Sequence, residues 1–372
     1  MRDIYYAIIG ITLSILYIFF VILEKILINY YRKKIPLIIH VNGIRGKSTT
    51  TRLIDAGLRN CGYKVFSKTT GTVPTIINSK NEDVVIKRIG KANIREQIKI
   101  LRKASKENVD VLVLECMAVN PELQKICEEK ILNANISIIT NVRMDHINDM
   151  GNSLEELALA MANTIPKNGT LIVNDSKFVG LFTKIANKKN SKVIVAKEYD
   201  KEDDLQTFKD NIALALQVAK TLNLDEQKFF EGMKKYHKDV GAYCEIKKGN
   251  TIFLNGLSIN DPDSILIVYD KVITKYNKEE LTILLNSRSD RTSRVIQHLK
   301  MLKQMEFKKI ILMGSSTNYL AKKIKKEIGT EPIIFSNVKQ LEKEKVIFAI
   351  GNIGGDGMKI VDYFKKEGEV IC

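Results

Sequence analysis

The chain has only four histidines in 372 residues, and five cysteines without a C-x-x-C pair among them. Cys61, Cys116, Cys127, Cys244 and Cys372 form an odd, scattered set. That spacing argues against a disulfide framework and a zinc module, and it fits a reducing cytoplasm. No compact block of lysine and arginine interleaved with aromatics occurs, although the formal net charge is +16. The pattern therefore speaks against nucleic acid as a partner, and the charge suits a membrane surface or a polyanionic substrate better. Internal repeats and low-complexity segments are also missing. With 45% hydrophobic and 27% charged residues, the composition is that of a globular protein, long enough for two domains.

One long apolar run is present. Ile4 to Leu23 carries no charge, and roughly twenty residues at about 1.5 Å each span a ~30 Å hydrocarbon core. Glu24 and Lys25 end it, and Arg32-Lys33-Lys34 follow. Positive residues on that flank predict a single amino-terminal pass with the rest of the chain cytoplasmic. A cleaved signal peptide is the competing reading; the length of the run and the lack of an A-x-A site disfavour it.

The next apolar run (Leu37, Ile38, Ile39, Val41) leads into Asn42-Gly43-Ile44-Arg45-Gly46-Lys47-Ser48-Thr49 and then a helix-like stretch to Arg59. Strand, glycine-bracketed turn, Lys-Ser and helix in this order make a phosphate-binding loop. Gly43 and Gly46 let backbone N–H groups turn toward an anion, and the helix presents its positive end there. Lys47 can reach terminal phosphates, and the Ser48 hydroxyl can ligate Mg2+. The G-x-x-G-K-S form is shorter than a strict Walker A, since Val41 stands where the first glycine would be. ATP and Mg2+ are the expected cofactors.

Apolar runs then alternate with helical patterns: Val109–Leu114, Ile136–Thr140, Leu171–Val173, Val193–Val195, a helix over Phe208–Leu222, and again Leu281–Leu285, Lys309–Met313, Ile333–Phe335 and Val346–Ile350. The alternation predicts an α/β chain with parallel sheets and chemistry at the carboxyl ends of the strands. The expected division is an anchor and basic linker over 1–34, a P-loop domain over 35–245 and a smaller Rossmann-like domain over 246–372.

Polar residues cluster where those runs end. Glu115 stands where a phosphate-loop protein keeps a metal-binding or water-polarising acid. Asp145-His146 follows the next strand, suiting a second metal, a phosphate sensor or a plain surface loop. The loop Lys68-Thr69-Thr70-Gly71-Thr72 could hold a carboxylate or phosphate, or be an ordinary turn. Arg288 to Arg291 (Arg-Ser-Asp-Arg) supplies a phosphate clamp or a helix cap. Gly351-Asn352-Ile353-Gly354-Gly355 fits a ligand loop or a tight turn equally. His40, inside the first strand, reads as a packed histidine.

Together these segments, with Glu115-Cys116-Met117-Ala118-Val119-Asn120-Pro121, Asn260-Asp261 and the helix Asn211-x-Ala213…Ala215, resemble the Mur ligase superfamily. Within it they are most similar to the membrane-anchored ligase subunits of poly-γ-glutamate synthases (PgsB/CapB type). The resemblance implies an ATP-dependent, ADP-forming amide ligase that makes capsular or secreted poly-γ-glutamate from glutamate. It implies Lys47 and the loop backbone on ATP, Ser48 and Glu115 at one Mg2+, and His146 at a second. Asn211 would face adenine, Arg288 and Asp290 would reach ATP from the second domain, and Asn260 and Asp261 would lie near the domain junction. Lys47, Glu115, His146 and Arg288 are the catalytic candidates, and Thr69, Thr70, Asn260 and Asp261 the substrate candidates. Integral-membrane export subunits are the implied partners, and self-association is left open. The alternatives are a membrane-attached P-loop ATPase or kinase regulating capsule export, and a folylpolyglutamate-type ligase. The superfamily's Gly-Arg-x-Glu turn appears here as Gly241-Ala242-Tyr243-Cys244-Glu245, without the arginine.

Overall fold

The computed structural model describes residues 2–371 apart from 72, 89, 91, 146, 175, 176, 202–204, 206, 240, 260, 261 and 288–291. It forms two compact units, Met1–Lys238 and Asp239–Cys372.

The first unit begins with helix α1 (Arg2–Lys33). Its apolar residues from Ile4 to Leu23 are exposed, whereas Ile28 and, just beyond the helix, Ile35 are buried against helix α3 (Glu96–Lys106) at Ile100, Leu101 and Ala104. The sheet comprises β1 (Leu37–Asn42), β2 (Val65–Thr69), β3 (Thr75–Ile77), β4 (Asp83–Val85), β5 (Val111–Glu115), β6 (Ile136–Ile139), β7 (Thr170–Val173) and β8 (Lys192–Val195), in the order β4-β3-β2-β5-β1-β6-β7-β8. β1 is parallel to both its neighbours, with Val41 opposite Glu115 on one side and Ile138 on the other. Its Ile39 and Val41 are fully buried, as a strand covered on both faces requires. The chain leaves β1 for β2 on one side and reaches β6 to β8 on the other. The crevice beyond the carboxyl end of β1 is therefore the topological switch point where ligands bind in such sheets.

The second unit holds β9 (Glu245–Lys248), β10 (Thr251–Asn255), β11 (Leu281–Ser287), β12 (Lys309–Gly314), β13 (Ile333–Ile334), β14 (Val346–Ile350) and β15 (Glu369–Val370), ordered β13-β12-β11-β14-β10-β9-β15.

Two features differ from the sequence expectation. Both sheets carry antiparallel edges: β3 and β4 in the first, β9 and β15 in the second. These strands are two to four residues long, too short to show periodicity. The division also falls after Lys238, ahead of the anticipated 245/246 boundary. Asn255 bonds the carbonyls of Ala242 and Cys244, tying that turn to the second sheet.

Candidate active site

The loop after β1 is shaped by two glycines that no other residue could replace without movement. Gly43 has φ +126°, and a Cβ there would lie 2.1 Å from Thr140 Oγ1. Gly46 has φ +80°, and its Cβ would lie 2.3 Å from Asn211 Oδ1. Both sit in backbone regions that side chains disfavour. Helix α2 (Lys47–Asn60) starts directly afterwards, with Thr50 N–H donating to the Gly46 carbonyl at 2.8 Å. Leu53, Ile54 and Leu58 of α2 are completely buried. At about 1.5–3 kcal/mol for each buried side chain, they fix the amino end of α2 at the crevice.

The middle of the loop is fastened to the end of β6. Asn141 Nδ2 donates to the Arg45 carbonyl at 3.0 Å, and Arg45 N–H donates to Asn141 Oδ1 at 3.1 Å. Thr140 Oγ1 adds a donation to the same carbonyl at 2.5 Å, and Ile44 N–H reaches the Asn141 carbonyl at 3.2 Å. The Arg45 side chain pairs with Asp145 at 2.7 Å. Lys47 Nζ donates to the loop's own carbonyls of Gly43 at 2.8 Å and Ile44 at 3.3 Å. Burial pushes the Lys47 ammonium pKa below its usual value, partly opposed by the Glu115 carboxylate.

Glu115, at the tip of β5, is 2% exposed. Its carboxylate accepts from Ser48 Oγ at 2.8 Å, from Thr70 N–H at 2.7 Å and from Thr70 Oγ1. Lysine, hydroxyl and carboxylate thus meet at the start of α2. All the donors around Glu115 bear oxygen or N–H, and Ser48 with Glu115 offers the hard oxygen ligands that a Mg2+-class cation takes.

A second tier supports this arrangement. The Gln97 amide donates to the Glu115 backbone carbonyl at 3.2 Å. Lys68, wholly buried on β2, pairs with Glu96 at 2.9 Å and approaches Gln97 Oε1 at 3.4 Å. Arg88 closes on Glu96 from the other side at 2.7 Å. Burial alone would raise the Glu96 carboxyl, but the bonds from Arg88 and Lys68 outweigh it and hold the pKa at about 2. Sequence reasoning passed over Glu96 and Gln97; a polar pair opening a helix with an apolar inner face was the available signal.

The sequence candidates divide as follows. Gly43, Gly46, Lys47, Ser48, Glu115 and Thr70 converge. Thr49 is half-buried beside them. The Asn42 and Ile44 side chains turn into the interior: Asn42 Nδ2 bonds Gln124 Oε1 at 2.9 Å, and Ile44 joins an apolar cluster with Ile139 and Val142. Asn211 is buried, its amide against Thr50 Oγ1 at 3.3 Å and Thr207 Oγ1 at 3.4 Å, so here it props the loop. Thr69 is fully buried, and its hydroxyl finds no hydrogen-bond partner among the described residues. His40 is packed, its Nδ1 at 2.8 Å from Glu128. His146, Asn260, Asp261, Arg288 and Asp290 lie outside the described residues.

Residues 41–231 match the family model of the Mur ligase middle domain, and residues 240–367 that of the poly-gamma-glutamate synthase CapB C-terminal domain. The capsule biosynthesis protein CapB of Bacillus anthracis is 33% identical over 359 residues, covering 90% of this chain and 77% of the relative. The PGA synthase CapB of Bacillus subtilis (strain 168) is 34% identical over 355 residues, covering 88% and 90%. Among solved structures, a bifunctional folylpolyglutamate synthase/dihydrofolate synthase from Yersinia pestis, complexed with AMPPNP and a Mn ion, superposes with a TM-score of 0.68 at 14% identity, covering 92% of each chain. That likeness concerns the fold. With the loop, the strand-end glutamate and both family models in register along one chain, this protein belongs to the CapB family of poly-γ-glutamate synthases, built on the Mur ligase middle domain.

Proposed function

We propose that this chain is an ATP-dependent amide ligase that joins glutamate units into capsular or secreted poly-γ-glutamate. The observation that carries the reading is the convergence of Lys47, Ser48 and Glu115 on one crevice at the amino end of α2. Family membership and relatives named for capsule biosynthesis and PGA synthesis support it.

A carboxylate is a poor acyl donor because oxide is its leaving group. The γ-carboxylate of the acceptor attacks the γ-phosphorus of ATP, the bond to the β–γ bridging oxygen breaks, and ADP leaves an acyl phosphate. The amine of the incoming glutamate attacks that carbonyl, phosphate departs with its electron pair, and the nitrogen loses a proton. Lys47 and the loop N–H groups bind the phosphates and offset charge that grows in both steps. Ser48 and Glu115 would hold Mg2+, which supplies charge neutralisation at the phosphates. Thr70 orients Glu115, and Asn141 and Asn211 keep the loop in its binding shape. The reading extends to His146 at a second metal, to Arg288 and Asp290 at ATP, and to Asn260, Asp261, Thr69 and Thr70 near the substrates.

One helix among the described residues, Asp3–Lys33, is long and apolar enough to cross a membrane. We read it as a single pass with the catalytic units on the cytoplasmic side, beside integral-membrane export partners.

The test uses detergent-solubilised protein with ATP, Mg2+ and glutamate labelled with oxygen-18 in its carboxylate. Label in the released phosphate, with ADP formed only when glutamate or its oligomer is present, is the expected result. Unlabelled phosphate at a glutamate-independent rate would overturn ligation in favour of a regulatory ATPase. Lys47→Ala and Glu115→Gln should each lower turnover on the order of 10²-fold or more.

A further inference from the structure

Residues 87–106 carry eight basic residues and one acid, a density hidden in a chain that is basic throughout. The tertiary structure gives that density a place. In α3, Gln97, Ile100, Leu101, Ala104 and Ser105 are buried, while Lys99, Arg102, Lys103 and Lys106 are exposed. The cations recur at i, i+3, i+4 and i+7, so they line one face of the helix. The side chains of the four have no ion-pair or hydrogen-bond partner among the described residues.

The inner face of α3 packs on the end of α1. Ile28 and Tyr31 of α1 share a cluster with Ile100, Leu101 and Ala104. Arg95, the residue before α3, pairs with Glu24, which directly follows the last residue of the apolar run. The start of α3 is therefore level with the end of that run. At about 1.5 Å per residue, Lys99 lies at most ~6 Å and Lys103 ~12 Å along α3 from that level. This is comparable with the ~8 Å Debye length at physiological salt. Lys25 and Lys33 of α1, and Lys34 just beyond it, are exposed as well.

We propose that the outer face of α3 is a membrane-apposed surface that takes the headgroups of acidic phospholipids, holding the first unit against the leaflet from which α1 emerges. The inference rests on the reading of α1 as a membrane span. Charge complementarity calls for an anionic occupant, and attachment to the end of the apolar helix selects acidic lipid over the polyanionic product. An anionic leaflet attracts each such cation, and four on one rigid face add without further ordering of the backbone.

The experiment places the full-length protein in vesicles of phosphatidylcholine alone or mixed with phosphatidylglycerol. Exposed lysines are acetylated with a neutral reagent and read by mass spectrometry. Lys228 serves as the reference: it is exposed, on helix Glu226–Met233, whose Phe229 packs in a different cluster from α1 and α3. Lys99 and Lys103 should react about five-fold more slowly in the acidic vesicles, the change that ~1 kcal/mol per cation corresponds to, and Lys106, about 16 Å along α3, should slow less. Lys228 should be unaffected, and high salt should abolish the difference. Equal rates in both vesicles, with the protein still floating with neutral vesicles after alkaline carbonate, would overturn the surface while leaving the anchor intact. Failure to float would overturn the anchor itself. Slowing by added poly-γ-glutamate in neutral vesicles, without any effect of acidic lipid, would assign the face to the polymer and overturn the lipid proposal.

Discussion

Replacing Glu96 with glutamine should damage this protein more than removing both Glu96 and its partner. Lys68 has no solvent exposure, and Glu96 is its ion-pair partner at 2.9 Å. The substitution leaves a buried ammonium with no anionic partner in contact, facing the Gln97 oxygen and the Met117 sulfur, each at 3.4 Å. Breaking a buried pair from one side costs about 3–5 kcal/mol, whereas replacing both members with apolar groups of similar size is near neutral. Glu96→Gln should lower the melting temperature of the first unit on the order of 10 °C. The double variant Lys68→Met/Glu96→Gln should recover most of that loss. Burial already lowers the Lys68 pKa, and in the single variant it falls further. The folded chain then sheds that proton at a lower pH than the unfolded chain, which titrates near 10.4. The deficit should therefore shrink as pH rises toward that value. Tyrosine fluorescence during heating in detergent, at pH 7 and pH 9, reads both effects, since the chain has no tryptophan. Equal losses in the single and double variants, or a deficit that ignores pH, would refute the argument.

The unmodified protein has a matching acid limb. Glu96 at about 2, below its usual 4.5, contributes stability that is present above pH 4.5 and lost as pH falls toward 2. After allowance for solvent screening this is about 2 kcal/mol, visible as a steeper acid unfolding curve than that of the double variant. Gly46→Ala forces a side chain into φ +80° and against Asn211, costing at least about 1–2 kcal/mol in backbone strain alone. Binding of a fluorescent ATP analogue should weaken about ten-fold or more, and titration of wild type and variant checks this. Chelation of divalent metal should stop ADP formation. Glu115→Gln should raise the Mg2+ concentration needed for half-maximal rate by about ten-fold, measured at saturating ATP; unchanged metal dependence would remove Glu115 from the metal site.

Local sequence carried the phosphate loop because its requirements are local. Glycine at Gly43 and Gly46, a lysine, a hydroxyl and the amino end of a helix lie within a few residues of one another. Glu115 was legible for a related reason: it closes an apolar run, and strand ends are where polar groups reach a ligand. The thirty-two residues of α1 likewise announce their length and polarity directly.

What the sequence could not decide is what only long-range packing brings together. Asn42 and Ile44 sit inside the motif, yet their side chains serve the interior because the sheet places Gln124 and Ile139 behind them. Asn211 meets Gly46 across 165 positions of chain, near enough that only glycine fits there. Lys68, read from sequence as part of a ligand loop or turn, is fully buried on β2 because Glu96 and Gln97 close over it from α3. The four cations of α3 acquire direction only through the packing of that helix on α1. Motif chemistry depends on neighbours in sequence. Burial, charge pairing and the facing of a surface depend on neighbours in space, and those were set by the fold.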